Sequence, residues 1–122
     1  QEYDVEIVEA HHRKKIDAPS GTALEMAKII SSVKQNLSGA SYCFNRKGTT
    51  GPRNKDEIGF SVIRGGDIVG EHSVIFAGTG EVIELSHKSS SRESYTKGAL
   101  LASKFLSQNT PNLYSMFDVL GL

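Results

Sequence analysis

The sequence lacks the features of several large classes of protein. A single cysteine, Cys43, among 122 residues excludes an internal disulfide and fits a reducing, cytoplasmic compartment. Lysine plus arginine and aspartate plus glutamate number 14 each, so no net charge attracts nucleic acid or a membrane surface. No apolar run approaches the ~20 residues of a membrane span. Any site for an anion must therefore be local.

Motifs for nucleotide binding and for hydrolytic chemistry are also missing. No Gly-x-Gly-x-x-Gly follows a strand and opens a helix, and neither a Walker-type lysine motif nor a nucleophile elbow occurs. Cys43, His72 and His87 lack the spacing of metal ligands, and His11 and His12 cannot easily reach one ion from the same strand. We predict neither a metal site nor a dinucleotide-binding unit in this chain.

The length of 122 residues suits one domain with one modest core. The chain begins with Gln1 rather than methionine, and no signal-like apolar segment follows. We expect residues 1–122 to be a single domain excised from a longer protein.

Apolar periodicity predicts four strands and two helices. The strands are expected at residues 3–10, 58–64, 68–77 and 81–87, with hairpin turns at the glycine-rich segments 65–67 and 78–80. Residues 45–57 have no apolar period and are expected to form a loop.

Apolar residues recur at helical spacing from Leu24 to Leu37, and Thr22 and Glu25 have the spacing of a capping box. Ser38 and Gly39 are expected to end this helix. The second helix begins near Arg92, where the preceding serines are either a simple helix start or a phosphate contact.

The order of elements indicates an α+β domain. We expect a four-stranded mixed sheet with two helices covering one face. Apolar residues on both faces of the later strands, such as Val62, Val69 and Ile83, leave the uncovered face for oligomerisation. Residues 113–122 are too apolar to stay loose in water and should dock on another part of the protein.

The most informative segment is residues 9–23, EAHHRKKIDAPSGTA. It places His11, His12 and Lys15 within a few residues of a Pro-Ser-Gly-Thr break and a predicted helix start. The basic cluster attracts anions by charge, and a helix start attracts them through unpaired N–H groups. We therefore predict a site for a small acidic ligand here.

Each of these residues also has an ordinary structural interpretation. Adjacent strand residues face opposite ways, so either His11 or His12 could be structural. Lys15 alone fits a solvated surface lysine, and the Ser-Gly-Thr segment alone fits a helix cap. Their combination in one short segment favours a binding site.

The same segment closely resembles the signature of the 4-hydroxy-tetrahydrodipicolinate reductase (dihydrodipicolinate reductase) family of diaminopimelate and lysine biosynthesis. The resemblance continues through residues 63–72 (IRGGDIVGEH), 87–92 (HKSSSR) and 116–120 (MFDVL), and so covers nearly the whole chain. It implies an oxidoreductase whose N-terminal Rossmann domain, which holds NADH or NADPH, is absent here. The chain resembles the C-terminal substrate-binding and tetramerisation domain, which we expect to be inactive alone.

The resemblance also implies roles for individual residues. His11 and Lys15 would be the catalytic acid/base residues, His12 would bind the dicarboxylate substrate, and Ser20, Gly21 and Thr22 would bind a substrate carboxylate at the helix start. Arg92 and Tyr95 match positions near the cofactor, although tyrosine is a variation there. Lys14 replaces a more familiar histidine and should point away from the site. The family also implies a homotetramer.

An interpretation of a different class stays open. The chain could be an oligomerisation module that has no binding activity when it is separated from its partner domain. Titration with a pyridine dicarboxylate would distinguish the two.

Overall fold

A computed structural model of the chain describes residues 3–33 and 41–122. In chain order the elements are β1 (Asp4–His11), α1 (Gly21–Val33), β2 (Ser41–Cys43), β3 (Glu57–Arg64), β4 (Gly70–Gly78), β5 (Glu81–Ser89), α2 (Glu93–Gln108) and α3 (Met116–Leu120). The chain divides into two compact units, Gln1–Ser90 and Ser91–Leu122. No helix among the described residues is long and apolar enough to cross a membrane.

The strands form one mixed sheet in the order β2-β3-β1-β4-β5. β1 and β2 both pair with β3 in parallel, whereas β4 pairs antiparallel with β1 and with β5. The predicted α+β class and mixed sheet are thereby confirmed.

Two details of the predicted sheet were wrong. The described residues form five strands rather than four, because β2 has only three residues and is too short to show an alternating pattern. The segment 65–67 is not a hairpin turn, because β1 lies between β3 and β4. Instead it crosses the end of β1, where the N–H of Gly65 donates to the carbonyl of His11 at 3.0 Å. The second predicted hairpin, between β4 and β5, is present.

Helix α1 packs on the sheet through small residues. Ala23 and Ala27 are both fully buried, which lets the helix backbone approach the strands closely. The core on this face is completed by apolar side chains from β1, β3 and β4: Val5, Ile7, Ile58, Phe60 and Val74. One face of the sheet is thus covered by α1.

The predicted cap of α1 was wrong by two residues. The Ser20 hydroxyl accepts the N–H of Ala23 at 3.2 Å, and the Ser20 carbonyl accepts that of Leu24 at 3.1 Å. Thr22 instead lies exposed in the first turn. The predicted helix end at Ser38 and Gly39 lies outside the described residues.

The second unit has two helices rather than one. The apolar tail forms α3, whose capping box joins Ser115 and Asp118. The rings of Phe105 and Tyr114 meet edge to face, 5.1 Å apart, within this unit. Whether α2 also covers the sheet stays a prediction.

Register assigns the exposed apolar residues of the sheet to both faces, because directly paired residues share a face. Leu85 pairs with the core residue Val74 and therefore lies on the face of α1, although it is 70% exposed. Ile63 and Val82, 51% and 64% exposed, lie on the opposite face. Use of that face for oligomerisation stays a prediction.

Candidate functional site

Strand β1 delivers two polar side chains to one face near its end. Glu9 and His11 are two residues apart in a strand, so they share the face that buries Val5 and Ile7. The Nδ1 atom of His11 lies 2.7 Å from Oε2 of Glu9. The register places Arg64 of β3 beside His11, which adds a cation on the same face.

Glu9 is the centre of this arrangement. It is only 1% exposed, and an unpaired carboxylate would be very unfavourable there. The guanidinium of Arg64 donates to both oxygens of Glu9, with Nη1 2.7 Å from Oε2 and Nη2 2.8 Å from Oε1. Burial alone would raise the pKa of Glu9, but hydrogen bonds from Arg64, His11 and the Ser20 N–H together lower that pKa to about 2. Glu9 is therefore a fixed negative charge.

Ser20 connects Glu9 to the start of α1. Its N–H donates to Oε1 of Glu9 at 2.9 Å, and its hydroxyl lies 2.9 Å from Nε2 of His72. Because the hydroxyl oxygen already accepts the N–H of Ala23, its proton is available to His72. Burial, and next the nearby charge of His11, lower the pKa of His72, which favours the neutral acceptor form. The helix start is thus held in place from two sides.

Lys15 lies on a turn that is hydrogen-bonded to Arg64. Its Nζ donates to both carboxylate oxygens of Asp17, at 2.8 and 2.9 Å. The backbone carbonyl of Asp17 accepts Nη2 of Arg64 at 2.8 Å. The hydrogen bond from Lys15 lowers the pKa of Asp17, so the two form an ion pair. One guanidinium therefore contacts both the carboxylate that holds His11 and the turn that carries Lys15.

The structure brings together several of the predicted site residues. His11 and Ser20 meet on Glu9, and Lys15 is linked to them through Asp17 and Arg64. The other predicted substrate contacts lie nearby in sequence: Gly21 and Thr22 are exposed in the first turn of α1, and His12 is partly buried just after β1. Their individual roles stay predictions.

Arg92 and Tyr95 lie in the second compact unit, at the start of α2. Both are exposed, and the Arg92 carbonyl accepts the N–H of Thr96 at 3.1 Å. Their predicted contact with a cofactor stays a prediction.

Sequence reasoning missed the residues that hold the site together. Glu9 and Arg64 fall inside the two most recognisable motifs, yet neither was assigned a role. A signal was present, because the alternation that buries Val5 and Ile7 places Glu9 on the same face. A buried carboxylate requires a cation, and only the register of β1 against β3 identifies Arg64 as that cation. Across the described ranges, no cluster of three or more histidine, cysteine or acidic side chains could hold a metal ion.

Comparison with known proteins identifies the family. The family model described as "Dihydrodipicolinate reductase, C-terminus" matches residues 1–120. The chain belongs to the dihydrodipicolinate reductase family. The resemblance inferred from the motifs is confirmed.

Members of this family with curated names are similar along the whole chain. It is 54% identical over 122 residues to the 4-hydroxy-tetrahydrodipicolinate reductase of Polynucleobacter necessarius subsp. necessarius and covers 46% of that protein. It is 54% identical over 120 residues to the Cupriavidus necator enzyme of the same name, of which it covers 45%. The chain thus spans about half the length of these relatives.

A solved structure shows the same fold. The chain aligns with the dipicolinate-bound dihydrodipicolinate reductase from Paenisporosarcina sp. TG-14 with a TM-score of 0.68 and 28% identity. The alignment covers 94% of this chain and 44% of that one. The family's fold and the fold described above therefore agree.

Proposed function

We propose that this chain is the C-terminal, substrate-binding part of a cytoplasmic reductase that converts 4-hydroxy-tetrahydrodipicolinate to tetrahydrodipicolinate in diaminopimelate and lysine biosynthesis. The observation that carries the proposal is the convergence of His11, Lys15 and the start of α1 on one buried Glu9–Arg64 pair, in a chain of this family. Such a site suits a small dicarboxylate. The dipicolinate named in the Paenisporosarcina structure belongs to this chemical class.

Binding of a carboxylate is assigned to the helix start. The first four N–H groups of an α-helix have no carbonyl partner within the helix. Ser20 supplies acceptors to Ala23 and Leu24, and the N–H groups of Gly21 and Thr22 precede them in the exposed first turn. These two groups can donate to a carboxylate at the positive end of the helix dipole. His12 would add a further substrate contact, and Ser20, whose N–H and hydroxyl contact Glu9 and His72, would support binding by holding the helix start in place.

Proton transfer is assigned to Lys15 and His11. An ammonium group has three N–H donors, and Asp17 accepts two from Lys15, which leaves one for the substrate. Charge develops on the substrate as it is reduced, and a cation placed there both stabilises that charge and can supply the proton. We assign a share of this work to His11, whose ring is held by Glu9 at the end of β1.

A nicotinamide cofactor, NADH or NADPH, would supply the hydride, and the overall conversion also releases the 4-hydroxyl group as water. This chain contains no dinucleotide-binding motif, and Arg92 and Tyr95 are exposed residues that fit a contact at the cofactor's edge. We therefore assign cofactor binding mainly to the part of the enzyme outside this chain. We further propose a homotetramer, supported by the exposed Ile63 and Val82 on the face opposite α1.

Kinetics of variants in the full-length enzyme test the proposal. Lys15→Ala should lower kcat by at least about 10²-fold with less effect on KM, because a proton donor acts mainly in the transition state. His12→Ala should raise KM more than it lowers kcat, because it would bind a carboxylate already present in the ground state. Lys14 is an exposed neighbour of Lys15, so Lys14→Ala serves as the control and should change neither kcat nor KM. A Lys15→Ala enzyme that is altered only in KM would make Lys15 an anchor and leave proton donation to His11.

A further inference from the structure

The proposed function gives no role to Glu9, although Glu9 contacts two parts of the site at once. Its Oε2 faces Nδ1 of His11 at 2.7 Å, and its Oε1 accepts the N–H of Ser20 at 2.9 Å. The helix start is a common structural partner of a carboxylate, but the contact with His11 connects Glu9 to a proposed acid/base residue.

We propose that Glu9 is a positioning residue for His11: it accepts the Nδ1 proton and leaves Nε2 as the nitrogen that exchanges a proton with the substrate. This inference rests on the proposed function, since it takes His11 as an acid/base residue. In a neutral imidazole one ring nitrogen is a donor and the other an acceptor, and the partner of one nitrogen sets the role of the other.

The surroundings of Glu9 fix its orientation. Its two oxygens accept four hydrogen bonds: Oε1 from Ser20 and Arg64, and Oε2 from His11 and Arg64. The bidentate contact with Arg64 holds the plane of the carboxylate. Because Glu9 is 1% exposed, water does not compete for these positions. The ring of His11 is consequently held by a partner that cannot rotate away.

The same contact balances charge during proton transfer. Protonated His11 gives its Nε2 proton to the substrate and becomes neutral, and the proton on Nδ1 stays in its hydrogen bond to Glu9. Glu9 stays ionised throughout, in keeping with its pKa of about 2. The rings of His72 and His11 meet edge to face, with centroids 5.1 Å apart, and this contact also restricts the ring of His11.

A second buried carboxylate–arginine pair provides a matched control. Glu57, at the start of β3, is 7% exposed and is paired with Arg46. It resembles Glu9 in burial and charge but has no histidine partner among its hydrogen bonds in the described part of the chain. Glu57→Gln therefore reports what the loss of a structural ion pair does to this fold.

Glu9→Gln should reverse the hydrogen bond to His11. Oε1 faces two fixed donors, Ser20 N–H and Nη2 of Arg64, whereas Oε2 faces only Nη1 of Arg64 besides His11, so the amide oxygen is favoured at the place of Oε1. The amide NH₂ then takes the place of Oε2 and donates to Nδ1. The proton of neutral His11 then moves to Nε2. Misorientation of a reacting group by about an ångström can cost about 10²-fold in rate, so we expect kcat to fall by roughly 10- to 100-fold with KM little changed.

The experiment is ¹⁵N NMR of the full-length protein labelled at histidine, with steady-state kinetics of the same samples. Signals of His11 are assigned by their loss in His11→Ala. We expect neutral His11 to carry its proton on Nδ1 in the wild type and in Glu57→Gln, and on Nε2 in Glu9→Gln, with kcat reduced only in Glu9→Gln.

A wild-type His11 with its proton on Nε2 would overturn the inference whether or not Glu9→Gln folds. So would a Glu9→Gln enzyme whose kcat falls no further than that of Glu57→Gln. A fully active His11→Ala enzyme would instead overturn the acid/base role that the proposed function gives to His11, and would leave proton donation to Lys15.

Discussion

Replacement of Glu9 by glutamine should destabilise the fold by an amount that depends on pH. Glutamine cannot ionise, so the variant loses the contribution that the charged form of Glu9 makes to the free energy of unfolding. The pKa of Glu9 is lowered from 4.5 to about 2 in the folded chain. This difference corresponds to about 3 kcal/mol of unfolding free energy at pH 7. The value agrees with the loss of about 3–5 kcal/mol that follows when one partner of a buried ion pair is removed.

The sign of the pH dependence follows from proton binding. Unfolded Glu9 takes up a proton at higher pH than folded Glu9, so the stabilisation is complete above the unfolded pKa of 4.5 and disappears as the pH falls through about 2. About 1 kcal/mol should be left at pH 3. Glu6, Asp17 and Asp118 also have lowered pKa values, but they are present in both proteins and cancel in the difference.

Urea unfolding of the 122-residue chain and of its Glu9→Gln variant, followed by circular dichroism at pH 7, 5 and 3, measures this difference. We expect the two unfolding free energies to differ by about 3 kcal/mol at pH 7 and to converge towards pH 3. A difference that is negligible at pH 7, or that does not change with pH, would refute the reasoning.

Two further predictions concern packing and assembly. A Cβ on Gly59 would lie 2.0 Å from Oε2 of Glu6 and would displace that carboxylate from Arg46 and Arg53, so Gly59→Ala should lower the unfolding free energy by about 1–3 kcal/mol in urea titrations. Gly65→Ala, where nothing lies within 4 Å, should change it far less, and equal effects would contradict the packing argument. Val82→Asp, on the face opposite α1, should reduce the mass measured by light scattering at micromolar concentration, whereas Thr79→Asp in the adjacent turn should not. A wild-type chain that is monomeric in this assay would remove the proposed tetramer.

The elements with strong patterns could be predicted from the sequence. The alternation that starts at Tyr3 and the helical spacing after Thr22 are sustained over several residues, and β1 and α1 begin within one and two residues, respectively, of their predicted starts. β2 was missed because three residues cannot show a period. The position of β1 between β3 and β4 was missed because glycine-rich segments predict a turn but not which strands it joins.

The site was predictable only in part, because some of its residues are neighbours in sequence and others are far apart. His11, Lys15 and the helix start are neighbours in sequence, so one motif contains them all. Their support is not local: Arg64 is 55 residues from Glu9, and His72 is 52 residues from Ser20. Only the pairing of strands brings these residues together, and a single sequence does not encode that register in any short pattern.

Titration of the chain with pyridine-2,6-dicarboxylate tests the central claim most directly, because the claim is that this part of the enzyme binds the dicarboxylate. Isothermal calorimetry should show saturable binding at one site per chain. Affinity should fall about tenfold or more in His12→Ala, as expected for loss of a hydrogen bond to a charged group, and should be unchanged in Lys14→Ala. A folded chain that binds no dicarboxylate would contradict the account and favour an oligomerisation module.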